Sequence, residues 1–196
     1  MQSAHPFQFI GGNLALDFVN TVSNRLRPDA ERDYLRTPRD LAAWEAAAGL
    51  AERGLFRHGS SLRDGLTLRE SLYRVFYSYL LHKPPHESDM EVLNRFVSRA
   101  RAHWKVERKN GNYRWSWTEE GPKISAALAQ VAEAATDLLV SDDLAFLREC
   151  SDEACGWLFL DYSQGRRRKW CSMRDCGNRA KARRHYRSQK RARLGQ

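Results

Sequence analysis

An α+β fold, mostly helical, is what this sequence predicts, and three observations predict it. Apolar residues recur at helical spacing through most of the first 147 positions. One alternating stretch, centred on Asn110-Gly111, interrupts that spacing and reads as a β-hairpin. All four cysteines fall between Cys150 and Cys176, so the last quarter of the chain reads as a separate small module. The expected division is therefore a helical N-terminal domain with one hairpin over 1–147 and a cysteine-built module over 148–196. The chain has 196 residues, 42% of them hydrophobic, which is enough for a packed core.

Each element has its own signal. Leu14, Ala15, Phe18, Val19 and Val22 fall on one helical face. Thr37 caps a second helix, with Pro38 in its first turn and Gly49 closing it. Leu62, Leu66, Leu72, Val75, Phe76, Tyr79 and Leu80 repeat along a long third helix that runs to His82 and stops before Pro84-Pro85. Ser88-Asp89-Met90-Glu91 reads as a capping box ahead of Val92, Leu93, Phe96 and Val97. The hairpin WKVERKNGNYRWSW follows. Its Trp104, Tyr113, Trp115 and Trp117 fit either a ligand pocket or cross-strand packing. A last long helix over 122–140 presents Ile124, Leu128, Val131, Ala135 and Leu138, and Ser141 caps a short helix leading to Cys150. No apolar run approaches 18 residues, which excludes a membrane-spanning helix. The opening MQSAHPFQFIGGN shows no basic stretch followed by an apolar core, so no secretory signal is read and a cytoplasmic protein is expected.

The cysteines follow the pattern C-x4-C-x15-C-x4-C: Cys150, Cys155, Cys171 and Cys176. Two close pairs, each on a polar turn, suit a structural zinc ion held by four thiolates. Disulfides and unpaired buried thiols are the alternatives, and a reducing compartment disfavours the first of them. Between the pairs, residues 156–162 and 166–170 read as two strands about a Ser163-Gln164-Gly165 turn, a hairpin joining the two knuckles. After Gly177, NRAKARRHYRSQKRARL is a good helix former. Knuckle, hairpin, knuckle and helix form a treble-clef-like zinc module.

The charge is concentrated there too. The chain carries +9 overall, yet thirteen of its 33 basic residues and one of its 24 acids lie between Arg166 and Arg193. That segment carries +12 and the remainder −3. Such a segment implies a polyanionic partner. On a helix Arg179, Arg183, Arg187 and Arg191 form one stripe, flanked by Arg184, Lys181 and Lys190. Asn178 and Arg179 at the helix start are candidates for reading base edges. Arg166, Arg167, Arg168 and Lys169 serve either the partner or the thiolates, whose charge they offset.

The run RRRKWCSMRDCGNRAKARRH, with CSDEACGWLFLDYS before it, resembles the CGNR zinc finger family, whose signature is Cys176-Gly177-Asn178-Arg179. Upstream, FIGGNLALDFVNT resembles the start of the ABATE domain that precedes this finger in the same family. The resemblance spans nearly the whole chain. It implies a stress-induced transcription regulator of bacteria, with the four cysteines as zinc ligands and the finger as the DNA-binding element.

The sequence-level reading is thus a DNA-binding regulator, not an enzyme, with structural Zn2+ as its cofactor. Double-stranded DNA is the expected partner, and a small-molecule effector is expected at the N-terminal domain. The oligomeric state is open, with a homodimer the arrangement that two-fold DNA sites would match. Asp17 and Asn20, one turn apart in an apolar helix, mark a candidate ligand pocket, against the plainer role of hydrogen-bond anchors. Gly11-Gly12 fits a tight turn better than an anion cradle, and Pro84-Pro85 keeps His82 and His86 off a common helical face. Two alternatives stand beside this reading: an RNA- or ribosome-associated binding module, and an enzyme with its pocket near Asp17.

Overall fold

The computed structural model describes residues 7–50, 61–118 and 125–194. Six α-helices and three two-stranded antiparallel sheets make up these residues, with short 3-10 turns between them. The order is α1 (Leu14–Val19), β1 (Val22–Ser23), β2 (Arg32–Asp33), α2 (Pro38–Ala47), α3 (Leu62–Leu80), α4 (Glu87–His103), β3 (Trp104–Lys109), β4 (Asn112–Trp117), α5 (Ala126–Leu139), β5 (Leu147–Glu149), β6 (Leu158–Leu160) and α6 (Asn178–Leu194).

The core lies among α1, α3, α4 and α5, with α2 laid against α3. Leu68, Leu72 and Phe76 of α3, Leu93 and Phe96 of α4, and Leu128, Val131 and Leu138 of α5 meet Leu16, Phe18 and Val19 there. Trp44 of α2 packs on Phe18 with ring centroids 4.7 Å apart. Ion pairs lock the periphery. Arg69 of α3 forks onto both oxygens of Asp33 at 2.7 Å, and Arg74 onto Asp89 of α4 at 2.6–3.0 Å. Arg25 bridges to Glu70 at 2.8 Å and lies 4.3 Å over the Tyr73 ring.

Three expected elements take a different form. Helix α1 ends at Val19, and Val22 lies in β1 opposite Asp33. The helix stops because Thr21 turns its hydroxyl back to Phe18 O and the Asn20 amide bonds elsewhere in the chain. Helix α4 is capped two residues earlier than expected, at His86 in place of Ser88. His86 Nδ1 accepts from Ser88 N and meets its hydroxyl, while Asp89 is taken by Arg74. The third correction is the expected hairpin over 156–170. Residues 158–160 do form a strand, but it pairs with Leu147–Glu149. Leu158 and Leu160 fill the helical core, and the backbone N–H of Arg168 donates instead to Asp161 Oδ2 at 2.9 Å.

Other expectations are met. Thr37 caps α2 in a full capping box, and Gly49, at φ +73°, follows its end. The β3–β4 hairpin turns at Asn110 (φ 52°) and Gly111 (φ 82°), both in the left-handed region that a two-residue hairpin turn demands. Ser125 caps α5 through Leu128 N. The expected start of that helix, with Ile124, lies outside the described residues.

Strand β6 joins the C-terminal module to the body. Leu158 N and O bond to the Asn20 amide at 3.0 and 2.8 Å, and Trp157 Nε1 donates to Val22 O at 2.7 Å. Leu160 N donates to Gly11 O, while Arg25 N and Leu26 N donate to Cys155 O and Ala154 O. The expected domain boundary after residue 147 thus falls inside the β5–β6 pair.

Candidate metal centre and basic helix

Each pair of cysteines is set by local turn chemistry. Cys150 follows β5 directly. In the next turn Asp152 Oδ1 accepts from Ala154 N at 3.1 Å and its carbonyl accepts from Cys155 N at 3.0 Å. Gly156 then adopts φ +69°, and a Cβ there would lie 2.9 Å from Arg25 Cβ, so glycine is required. In the second pair Cys171 precedes, and Cys176 lies within, a single wide helical turn, Met173–Gly177, capped by Ser172 through Asp175 N. That turn runs straight into α6.

The four Sγ atoms lie within 4.8 Å of one another, and all four cysteines are buried. Cys155 and Cys171 Sγ are 3.7 Å apart, and Cys171 and Cys176 Sγ 3.5 Å. A zinc–thiolate tetrahedron with bonds of about 2.3 Å has edges of roughly 3.8 Å, close to these separations. A disulfide needs sulfurs about 2 Å apart, and all four thiols here are free. Trp157, Phe159, Ile10 and Trp170 pack around the cluster and shield it from water.

The basic residues divide by what they touch. Arg168 is internal: its guanidinium lies 4.3 Å over the Phe159 ring and donates to the carbonyls of Trp170, Cys171 and Ile10. Arg166 lies 4.1 Å over the Phe146 ring. Arg179 donates to Cys176 Sγ at 3.0 Å and reaches Asp152 Oδ2 at 3.4 Å. Arg183 donates to the same Asp152 oxygen at 2.8 Å, and Arg187 lies 3.3 Å from both oxygens of Glu153. The arginine stripe therefore lies on the first cysteine turn. Burial alone would raise the Asp152 carboxyl, but the Arg183 hydrogen bond, the Ala154 N–H and the two guanidinium charges hold it below its ordinary value. Asn178 turns its amide to Arg174 O at 2.8 Å. Arg167, Lys169, Lys181 and Arg184 are exposed, with no side-chain acceptor among the described residues.

Among the described residues Asp17 and Asn20 border no roomy pocket. The hollow beside them, bounded by Phe7, Gln8, Thr21, Tyr34 and Trp157, has no room even for water. Asp17 Oδ1 accepts from Gly11 N at 2.8 Å, and burial pushes its carboxyl up to about 6. Asn20 holds β6. Both serve as hydrogen-bond anchors, the plainer of the two roles expected of them.

Sequence reasoning missed two features. One is the role of Asp152, signalled by an acidic turn facing an otherwise basic segment. The other is the Arg25–Glu70–Arg69–Asp33 network, whose partners come from distant positions that no local pattern pairs.

Residues 12–142 match the ABATE family, described as "Putative stress-induced transcription regulator", and residues 147–189 match the CGNR zinc finger. The chain belongs to the ABATE family. No curated protein matches it. The ABATE match covers α1 to α5, and the CGNR match covers β5, β6, all four cysteines and most of α6. In this ABATE protein Cys150, Cys155, Cys171 and Cys176 form a structural zinc site. Four protein ligands complete the tetrahedron, so the metal supplies folding energy. Among the described residues no helix is long and apolar enough to cross a membrane.

Proposed function

We propose that this chain is a cytoplasmic DNA-binding transcription regulator whose zinc module presents α6 to duplex DNA while the helical body takes an effector. The observation that carries the reading is the division of α6 into two charged sides. Arg179, Arg183 and Arg187 tie the helix to the metal-bearing turn. Lys181 and Arg184, with Arg167 and Lys169 of the preceding loop, carry uncompensated positive charge to solvent. A rigidly held rod with an exposed basic side is suited to phosphate contacts along a duplex. Zinc positions the helix and takes no part in chemistry, which supports a binding role over a catalytic one.

An RNA-binding reading would use Trp170 and Tyr186 as stacking platforms; Trp170 packs on the cysteine cluster, while Tyr186 is exposed on α6. The row of exposed cations along α6 favours duplex DNA as the partner. Competition binding of the zinc-loaded protein to duplex DNA, single-stranded RNA and structured RNA at one salt concentration tests this. Duplex DNA should bind most tightly, and tighter binding to either RNA would overturn the assignment.

A further inference from the structure

Among the described residues the outer part of one face of the β3–β4 hairpin packs on neither hydrophobic cluster. Its pairing sets Val106 opposite Trp115 and Arg108 opposite Tyr113, on the same face as Trp104. Along that face Val106 is 58% exposed, Trp115 70% and Tyr113 75%. Exposed aromatic residues grouped in this way mark a binding surface more often than a solvated one. At the root of the hairpin the half-buried Trp104 donates its indole N–H to Glu133 of α5. Between hairpin and helix lies a cleft of about 640 Å3, walled among the described residues by Trp104, Trp115, Glu133 and Arg101 at the end of α4. That volume falls in the range of about 300–1,000 Å3 typical of small-molecule sites.

The walls are chemically selective. Two indoles favour a flat ring and attract a cation. Glu133 supplies the counter-charge. Burial raises its carboxyl, the Trp104 hydrogen bond opposes that rise, the nearby Asp137 charge adds to it and the Arg101 charge offsets part of it. The site thus holds a partly desolvated carboxylate, with a second acid one helical turn away. Arg101 sits at the rim, where its charge acts on Glu133 from a distance but forms no ion pair with it among the described residues. We propose that this cleft binds a flat aromatic amine, its ring on Trp104 and Trp115 and its ammonium directed at Glu133. The inference supplies the effector class for the regulator reading above. Ligand binding is measured without nucleic acid, so failure of either idea is seen separately.

Titration calorimetry on the zinc-loaded full chain tests it, with phenethylamine as the cationic probe and phenylacetate as its anionic counterpart. Phenethylamine should bind at least about 10-fold more tightly, a difference of about 1.4 kcal/mol. Trp115→Ala should weaken it by about 10-fold and Trp115→Phe restore most of that loss, since an exposed side chain is removed without disturbing the fold. Glu133→Gln should shrink the preference for the amine to less than about 3-fold, because the counter-charge is gone. Equal binding of the two probes, no measurable heat with phenethylamine, or an undiminished preference in Glu133→Gln would each overturn the proposal.

Discussion

In the helical body Phe18, Phe76, Leu68 and Leu72 are wholly buried, and the helices are held by apolar contact along their lengths. In the C-terminal module the buried cluster is four cysteines with Trp157 and Phe159, and beyond it the chain is almost entirely exposed and basic. A module of this size cannot bury enough apolar surface to fold alone. It compensates with a metal and with β6, whose Leu158 and Leu160 belong to the body's core. Ion pairs follow the same division. In the body they join helix to strand and helix to helix, Arg69 to Asp33 and Arg74 to Asp89. In the module they join the helix to the turn that carries the metal ligands.

The sharpest way to break this contrast is to remove the metal. Structural zinc contributes on the order of 10 kcal/mol to domains of this kind. Chelation, or Cys171→Ser, should abolish hydrogen-exchange protection through 161–190 and leave α3, α4 and α5 protected. Strand β6 should be intermediate, because its outward neighbours are lost while Leu158 and Leu160 keep their core contacts. Cooperative unfolding of the whole chain on chelation would show that the two regions are one folding unit.

A smaller effect probes the body alone. Asp17 titrates at about 6 in the folded chain against an ordinary 3.8. Between those values the folded state binds the extra proton, so this group's contribution is full below pH 4 and is lost as pH rises through 6. Asp17→Asn keeps an acceptor for Gly11 N and removes the buried charge. Its stability relative to the parent should therefore rise by up to about 3 kcal/mol between pH 4 and pH 7, from roughly 1.4 kcal/mol per pKa unit. Urea unfolding at the two pH values measures this. An unchanged difference would mean that water reaches the carboxylate.

Asp152 is the module's counterpart: a fully buried carboxylate, but one held by Arg183 and Arg179. Asp152→Asn keeps the turn's hydrogen bond to Ala154 N and loses the charge that fixes α6 over Cys176. Groups that orient metal ligands typically account for 10- to 100-fold in affinity, and the lower end of about 10-fold is expected here, because Arg179 still reaches the sulfur. Competition with a chromophoric chelator reads it, and an unchanged zinc affinity would reduce Asp152 to a surface partner of the helix.

What the sequence made legible follows the range of the interactions. The hairpin at Asn110-Gly111, the Thr37 cap and the four-cysteine site are written in neighbouring residues, and each appears where expected. The second strand of the expected 156–170 hairpin does not, because the partner of Leu158–Leu160 is chosen by burial against α1 and α3, which spacing cannot report. The Asp17–Asn20 pair was visible as unusual polarity in an apolar helix. The partners it anchors, 6 and 138 residues away, were not. The arginine periodicity was plain, whereas the acid it faces is set by the fold of the first knuckle.

That last point yields the smallest and most discriminating test. Arg183 and Arg184 are neighbours in sequence but lie on different sides of α6: Arg183 donates to Asp152, and Arg184 is exposed with no acceptor among the described residues. If the exposed side meets phosphate, Arg184→Ala should flatten the log–log salt dependence of duplex binding by about 0.9, the release of one counterion. Arg183→Ala should leave that slope nearly unchanged and act instead on zinc affinity, through the loosened Asp152. Between about 50 and 200 mM salt the Arg184 effect amounts to under 1 kcal/mol. It must therefore be read as a slope across several salt concentrations and not as a single affinity. Reversed slopes for the two variants would mean that Arg183 leaves Asp152 to contact DNA. The stripe over the metal-bearing turn, and not the opposite side of α6, would then be the binding face.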